Sequence, residues 1–218
     1  MVSEVKPTRV LVADDHPIVR LGIRQMLDNE PDLSICAEAS TPEEAVESVG
    51  RDHPDLALVD LSFGALSGLD LIRHLREIAP DLPILVLSMH DESLFAQRAL
   101  RAGAKGYITK HEAITHLVSA IRQVLSGHIY VSDRVSQQVL EGLGHTMDRS
   151  GDRVATLSDR ELQVLTMIGH GTATAEIAGR LGISIKTVET YRSNIKAKLS
   201  LRDSTDLIRF AASWVEHL

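Results

Sequence analysis

The sequence predicts an α/β domain built on a parallel sheet, followed by a smaller all-helical domain. Three observations support this prediction. Over about the first 125 residues, five short apolar runs alternate with five amphipathic helical segments. The run Leu56–Val59 contains no polar residue, which is typical of a strand buried on both faces. From Leu157 onward the apolar residues recur with helical spacing only.

The elements of the first domain follow in strict alternation. Strands are expected at residues 9–13, 33–38, 56–59, 84–87 and 106–109. Helices are expected at residues 17–27, from Thr41 onward, and at 68–78, 91–101 and 112–126. In the first helix we expect Ile18, Leu21 and Met26 to share the inward side. Thr41 is the expected cap of the second helix because Pro42 and two acidic residues follow it.

Polar side chains stand at the carboxyl ends of four of the five strands. In parallel sheets, ligands bind at these ends, near the point where the strand order reverses. With the flavodoxin-like order 2-1-3-4-5, all of these residues would meet in one pocket. They are Asp14 and Asp15 after the first strand, Asp60 after the third, Ser88 after the fourth and Lys110 after the fifth.

The residue types in this pocket indicate phosphoryl chemistry. Three carboxylates held together repel one another, and Mg²⁺ prefers carboxylate, water and phosphate ligands. Asp60 is then a candidate nucleophile toward a phosphoryl group, with Lys110 and Ser88 available to bind the phosphate oxygens. Single-residue alternatives stay open: Asp14 as a helix cap, Ser88 as a turn residue and Lys110 as a solvated side chain.

Residues 8–126 resemble a two-component receiver domain. The resemblance rests on Val-Ala-Asp-Asp-His-Pro at 12–17, Leu-Val-Asp-Leu at 58–61, Ser88, and Gly-Tyr-Ile-Thr-Lys at 106–110. It implies that Asp60 accepts a phosphoryl group from a histidine kinase. It also implies a Mg²⁺ site in which Asp15 binds directly, Asp14 binds largely through water and the Ser62 backbone carbonyl is a further ligand.

The same resemblance implies a switch pair formed by Ser88 and Tyr107. The Tyr107 ring would move inward when the Ser88 hydroxyl turns to the phosphate; the alternative is an ordinary half-buried aromatic residue. Two positions depart from the usual receiver pattern. Ser62-Phe63-Gly64 stands where a Met-Pro or Leu-Pro pair usually follows the acceptor, and His111 stands where proline often follows the lysine. We therefore do not expect a cis peptide bond after Lys110.

Residues 127–156 lose the strand–helix alternation and are interpreted as a linker. Residues 132–143 could form a helix with Val135 on its inward side. The polar, glycine-flanked stretch at 144–152 predicts an exposed connection. The domain boundaries expected from this reading are 8–126, 127–156 and 157–218.

The second domain is expected to contain four helices. Ser158 and Glu161 form the pattern of a capping box. A short helix at 174–181, a turn at Gly182 and a longer helix at 185–199 capped by Ser184 predict a helix-turn-helix, whose second helix enters the major groove of DNA. A last helix is expected at 203–215.

Charge supports the DNA-binding interpretation of the helix at 185–199. Residues 1–125 have a net charge of −7 and residues 126–218 a net charge of zero. Within residues 180–202, however, six basic residues stand against the single acid Glu189. The alternative is an ordinary surface helix. The candidate DNA-contacting residues are Lys186, Thr187, Glu189, Thr190, Tyr191, Ser193, Asn194, Lys196 and Lys198.

Residues 157–218 resemble the LuxR-type helix-turn-helix. The resemblance rests on Leu-Ser-Asp-Arg-Glu at 157–161, Glu-Ile-Ala at 176–178 and Ile-Ser-Ile-Lys-Thr-Val-Glu-Thr-Tyr at 183–191. With the receiver-like part, this is the architecture of the NarL/FixJ response regulators, and the resemblance implies dimerisation through the last helix. At the position of Glu189 the family more often has Lys, and at the position of Tyr191 it more often has His. A carboxylate cannot bind phosphate, so Glu189 could instead accept a hydrogen bond from a cytosine amino group.

The sequence therefore predicts a cytoplasmic, phosphorylation-controlled transcription factor that binds double-stranded DNA, a sensor histidine kinase and a second copy of itself. The single Cys36 excludes an internal disulfide and a multi-cysteine zinc site, and no apolar run is long enough for a membrane helix. One alternative is a regulator of this architecture that ignores phosphate. The other is an aspartate-nucleophile phosphatase, which the absence of an Asp-x-Asp pattern at Asp60 and Ser62 disfavours.

Overall fold

The computed structural model describes residues 6–61, 68–89, 92–133, 135–137, 154 and 156–216. The chain forms two compact units, Met1–Val139 and Leu140–Leu218. None of the described helices combines the length and the apolar character needed to cross a bilayer.

The first unit contains the predicted five-stranded parallel sheet in the predicted order, β2-β1-β3-β4-β5. Parallel pairing joins each strand to its neighbours, with Ala13 opposite Val59 and Asp60 opposite Leu87. The sheet therefore brings the carboxyl ends of β1 and β3 side by side at its centre. The strands are β1 Thr8–Ala13, β2 Leu33–Ala39, β3 Leu56–Asp60, β4 Ile84–Ser88 and β5 Gly106–Thr109.

Helices cover both faces of this sheet. On one face, Ile23 of the first helix and Leu117 and Ile121 of the fifth pack with Leu58 and Leu87 in a single apolar cluster. The second, third and fourth helices contact β2, β3 and β5. All side chains of β3 are buried, as its uninterrupted apolar run predicts. The helices are α1 Pro17–Leu27, α2 Pro42–Asp52, α3 Gly68–Ile78, α4 Glu92–Ala102 and α5 Lys110–Leu125.

The structure corrects two local predictions. Ile18 and Leu21 do not face inward: their side chains are 74% and 50% exposed, because α1 packs through Ile23 and Leu27, one turn apart. The fifth helix begins at Lys110 rather than at residue 112. Thr109 forms a capping box with Glu112, which places the helix start directly after β5.

The second unit consists, in its described residues, of the four predicted helices. The expected capping box of Ser158 and Glu161 is present. The Ser184 side chain accepts a hydrogen bond from the Thr187 amide at the start of the long helix, and the short helix ends at Gly182 in a left-handed conformation. The helices are α6 Asp159–Gly169, α7 Thr174–Leu181, α8 Ile185–Leu199 and α9 Ser204–Glu216.

The segment interpreted as a linker is described only in part. The Ser132 hydroxyl accepts a hydrogen bond from the Val135 amide at 3.3 Å, and residues 133 and 135–137 are helical. The remainder of the helix suggested for 132–143, and the polar stretch at 144–152, lie outside the described residues. The proposed domain boundaries therefore stay predictions.

Candidate functional sites: an acidic pocket and a basic helix

Two buried carboxylates and one ammonium group form the centre of the acidic pocket. Asp14 directly follows β1 and Asp60 ends β3, and both are only 1% exposed. Lys110 Nζ lies 2.7 Å from Asp14 Oδ2 and 2.9 Å from Asp60 Oδ2. The strand order thus brings together residues that are 46 and 50 positions apart, as the sequence predicts.

The charge of Lys110 is stabilised by these two neighbours. Burial acts to lower the pKa of Lys110, but the carboxylates of Asp60 and Asp14 outweigh burial and raise the pKa above its ordinary value. The Lys110 side chain is 10% exposed, so it is not the solvated side chain that the sequence left open. Its ammonium group can instead stabilise negative charge at the pocket.

Asp15 and His16 extend the pocket toward solvent. His16 Nδ1 lies 2.7 Å from Asp15 Oδ1 and 3.2 Å from Asp14 Oδ1. Potential ligand atoms of Asp14, Asp15, His16 and Asp60 all lie within 4.8 Å of one another. This donor set is consistent with a divalent-cation site, because carboxylate oxygens suit hard cations. Sequence reasoning missed His16, although its position directly after two strand-end acids could have indicated it.

The backbone after β1 is fixed by hydrogen bonds that the sequence does not reveal. The His16 amide donates to Asp14 Oδ1 at 2.8 Å, and His16, not Asp14, is the N-cap residue of α1. From the next turn of α1, Arg20 Nη1 donates to the Asp14 carbonyl oxygen at 2.6 Å, while its Nε donates to Glu38 on β2 at 3.2 Å. Arg20 thereby ties the Asp14 backbone to α1 and β2.

The backbone after β3 requires a glycine at the start of α3. The Gly68 amide donates to the Leu61 carbonyl oxygen at 3.1 Å. A Cβ atom on residue 68 would overlap the Asp60 carbonyl oxygen and lie 2.6 Å from Leu61 Cα. Only glycine permits this approach without a shift of the Asp60 backbone. The predicted cation ligand Ser62 and the Ser62-Phe63-Gly64 departure lie outside the described residues.

Ser88 and Tyr107 occupy neighbouring strands and are both fully buried. Tyr107 pairs with Val86, two residues before Ser88, and alternate residues of a strand share a face. The two side chains therefore belong to the same side of the sheet. Tyr107 is therefore fully buried rather than half-buried, and the switch role of the Ser88–Tyr107 pair stays a prediction.

Helix α8 divides into a buried side and an exposed side. Val188, Ile195 and Leu199 are buried within the helical unit, so the residues opposite them face outward. Among the candidate contact residues, Thr187, Tyr191 and Lys196 are half-buried. The exposed candidates are Lys186, Glu189, Thr190, Ser193, Asn194 and Lys198.

Three charged residues of α8 form ion pairs inside the second unit. Lys198 Nζ lies 2.6 Å from Glu161 Oε2 of α6, whose side chain is 4% exposed. Burial acts to raise the pKa of Glu161, but the hydrogen bonds from Lys198 and Ser158 lower it below its ordinary value. Arg192 Nε lies 3.6 Å from Glu189 Oε1. Lys198 therefore links α8 to α6, which the sequence pattern alone does not reveal.

The two units together define a class of protein. A doubly wound domain with an acidic pocket and a buried lysine, followed in the chain by a helix-turn-helix, is the architecture of a response regulator. Residues 10–122, more than half of the chain, match the family model described as response regulator receiver domain. Residues 155–211 match the model described as bacterial regulatory proteins, luxR family. The chain belongs to the NarL/FixJ family of DNA-binding response regulators.

Two regulatory proteins are similar to this chain over nearly their whole length. The chain is 34% identical over 208 residues to the oxygen regulatory protein NreC of Staphylococcus carnosus, covering 93% of this chain and 96% of NreC. It is 35% identical over 202 residues to the response regulator UvrY of Escherichia coli K12, covering 93% and 92% of the two chains.

A solved structure has the same architecture. RcsB of Salmonella enterica serovar Typhimurium, bound to the promoter rprA in the presence of the phosphomimetic BeF3⁻, is 25% identical with a TM-score of 0.62. The alignment covers 95% of this chain and 99% of RcsB. The likeness therefore extends over both units of the chain.

Proposed function

We propose that this regulator accepts a phosphoryl group on Asp60 from a sensor histidine kinase and thereby changes the affinity of α8 for double-stranded DNA. The observation that carries the proposal is the contact of Lys110 with both Asp14 and Asp60 in one buried pocket. The regulator would act in the cytoplasm, where the kinase domain and DNA are both accessible, and control transcription rather than catalyse turnover of a substrate.

The pocket supplies the groups that phosphoryl transfer to a carboxylate requires. An Asp60 carboxylate oxygen attacks the phosphorus of the kinase's phosphohistidine, a P–O bond forms, and the P–N bond breaks with its electron pair going to the histidine nitrogen. Lys110, already 2.9 Å from Asp60, can donate to the phosphoryl oxygens as the bond forms. The Ser88 hydroxyl is the second proposed donor from the chain.

The donor set fits a magnesium ion. Asp14, Asp15 and Asp60 offer carboxylate oxygens within the 4.8 Å cluster, and such oxygens together with water are the ligands that Mg²⁺ prefers. We propose that Asp15 binds the ion directly, Asp14 largely through water, and the Ser62 carbonyl as a further ligand. A bound Mg²⁺ would offset the negative charge of the incoming phosphoryl group.

The proposed output begins at Ser88 and Tyr107. Phosphorylation would shift a pre-existing equilibrium toward the state in which the Ser88 hydroxyl turns to the phosphate and the Tyr107 ring lies inward. The response on DNA would come through α8. We propose Lys186, Thr187, Glu189, Thr190, Tyr191, Ser193, Asn194, Lys196 and Lys198 as its contact residues.

We also propose a homodimer on paired half-sites. A C2 dimer matches the two-fold symmetry of palindromic half-sites, and helix-turn-helix proteins commonly bind in this way. One neighbouring structure is described as two RcsB dimers bound to two parallel DNAs, which supports the same assembly for this chain. The last helix, α9, is the proposed contact within the dimer.

The test measures DNA affinity with and without a small phosphodonor. A binding site is first selected from random DNA with the full chain, and its dissociation constant is then measured with Mg²⁺, with and without acetyl phosphate. We expect the donor to tighten binding by about 5–150-fold, the usual range of allosteric coupling, and Asp60→Asn to abolish the change. Unchanged affinity of the wild type would favour the phosphorylation-independent regulator, and multiple turnover of phosphate esters would favour the phosphatase.

A further inference from the structure

After α5 the chain returns to the open edge of the sheet and pairs with β5. We call residues 128–132 the strap. The Tyr107 amide donates to the Tyr130 carbonyl oxygen at 2.8 Å, and the Tyr130 amide donates to the Lys105 carbonyl oxygen at 3.1 Å. Gly106 and Tyr130 thus form a parallel bridge. The strap is therefore bonded to the backbone of the proposed switch residue Tyr107.

The far end of the strap is held by a buried carboxylate. The Ser132 amide donates to Glu92 Oε1 at 2.7 Å, and Glu92, the first residue of α4, is only 8% exposed. Ser132 also starts the next helical segment: its hydroxyl accepts from Val135 and its carbonyl oxygen accepts from Ser136 at 2.9 Å. Glu92 thereby fixes the place where the chain turns into the segment that leads toward the second unit.

The close approach of the strap to β5 depends on Gly106. A Cβ atom at residue 106 would lie 3.0 Å from both Tyr130 Cβ and the Tyr130 carbonyl oxygen, and 2.8 Å from Leu85 Cδ1. Tyr130 packs against the apolar cluster on the α5 side of the sheet. Burial, with the Glu112 and Glu92 carboxylates, raises the pKa of Tyr130. The strap is therefore held at two points: the Tyr130 side chain packs against the apolar cluster, and the Ser132 amide bonds to Glu92 of α4.

We infer that Glu92 is a positioning residue through which the state of the Ser88–Tyr107 pair sets the docking of the strap and thus the start of the connecting segment. The inference rests on the proposed function, since it concerns how a phosphoryl group on Asp60 reaches the DNA-binding unit. Three contacts carry it: the strap bonds to Tyr107 itself, packs over Gly106, and ends on α4, which begins four residues after Ser88.

The direction of the effect follows from the position of Tyr107. In this structure the ring is fully buried and the strap is docked at the same time. A phosphoryl group that favours the inward ring therefore also favours the docked strap. Undocking the strap would remove the Ser132 amide as a donor to the buried Glu92 carboxylate, which costs free energy and so favours the docked position.

Hydrogen exchange and DNA binding on the full chain test this inference together. Amide exchange in residues 128–132 is measured with and without BeF3⁻ and Mg²⁺, and Asp60 labelling by acetyl phosphate is followed in parallel. Glu92→Ala removes the acceptor for the Ser132 amide, whereas Glu92→Gln keeps an oxygen acceptor there. Glu47→Gln, on the exposed side of α2, is the control for loss of one acidic charge.

We expect BeF3⁻ to slow strap exchange about tenfold in the wild type and in Glu47→Gln. Glu92→Ala should label on Asp60 as fast as the wild type, but its strap exchange should no longer respond and its gain in DNA affinity should be about tenfold smaller. Glu92→Gln should restore most of both responses. Normal labelling of Glu92→Ala on Asp60, together with its lost strap and DNA responses, separates a positioning role from a folding defect.

The inference and the proposed function are overturned by different outcomes. If acetyl phosphate changes wild-type DNA affinity while strap exchange stays constant or becomes faster, the inference is wrong and the proposed function stands. If Glu92→Ala responds like the wild type in both measurements, the inference is also wrong. If Asp60 is labelled and wild-type DNA affinity does not change, the proposed function itself fails.

Discussion

Lys110 Nζ lies within 3 Å of a carboxylate oxygen of Asp60 and of Asp14 at once, 2.9 Å from the first and 2.7 Å from the second. One ammonium group therefore faces two buried carboxylates and neutralises only one of their charges, and Asp15 adds a third acid beside them. The pocket keeps an excess of negative charge that a divalent cation can offset. The same lysine is held within reach of any group transferred to Asp60.

The Lys110 contacts predict a specific alkaline stability profile. Because the folded-state pKa of Lys110 is raised, the stability contributed by its charge is fully present below the ordinary lysine pKa of about 10.4. It is lost as pH rises through the folded-state pKa. We expect Lys110→Met to lower the free energy of unfolding by about 3 kcal/mol at pH 7 without metal.

Urea unfolding of the full chain in EDTA, from pH 7 to the alkaline limit of folding, checks this profile. The difference between wild type and Lys110→Met should shrink at the alkaline end. The exposed Lys105 provides a matched control, and Lys105→Met should track the wild type throughout. A constant difference between wild type and Lys110→Met across the whole range would contradict the role assigned to the charge.

Lys186 and Lys198 are both exposed lysines of α8 and both proposed DNA contacts, but only Lys198 is predicted to stabilise the fold as well. Lys186→Ala should weaken DNA binding and reduce the salt dependence of the logarithm of affinity by about 0.9, the value for one phosphate contact. Its free energy of unfolding should not change. Fluorescence anisotropy at several salt concentrations, with urea unfolding alongside, measures both properties.

Lys198→Met should lower the free energy of unfolding by about 1 kcal/mol at pH 7, because it removes the ion pair with the buried Glu161 carboxylate. The pKa of Glu161 is lowered in the folded state. Its contribution is therefore present above the ordinary glutamate pKa of about 4.3 and is lost as pH falls through the lower folded value. Equal stability of Lys198→Met and wild type at pH 7 would show that the pair is not stabilising.

Substitution of Glu189 tests whether its carboxylate recognises a DNA base. Its side chain is 57% exposed on α8, with Arg192 Nε 3.6 Å away. If Glu189 accepts a hydrogen bond from a cytosine amino group, Glu189→Ala should relax base preference at one operator position, by about 1–3 kcal/mol against the wrong base. Selection of bound sequences from random DNA measures this preference. Identical preferences at every position in both proteins would rule out the contact.

The sequence predicted the sheet and the site's location because both follow from local patterns. Apolar runs ending in Asp60 and Ser88 define buried strands and their polar ends, and the strand order then requires those ends to meet. Ser158 and Ser184 were found as caps because capping depends on residues three or four positions apart.

The remaining features depend on contacts between distant residues. In α1, apolar residues occur on more than one side of the helix. Packing against the sheet determines that Ile23 and Leu27 are buried, whereas Ile18 and Leu21 are exposed. Arg20 reads as an ordinary surface arginine until its contacts with Asp14 and Glu38 are seen. The strap pairing at Tyr130 has no sequence pattern of its own, since a single bridge leaves no periodicity.

The central claim is that Asp60 alone accepts the phosphoryl group, and mapping the modified residue tests it most directly. The full chain is incubated with acetyl phosphate and Mg²⁺, the acyl phosphate is trapped by borohydride reduction, and peptides are sequenced by mass spectrometry. We predict modification at Asp60, none at Asp14 or Asp15, and none after Asp60→Asn or in EDTA. Modification at another residue, or undiminished modification of Asp60→Asn, would contradict the account.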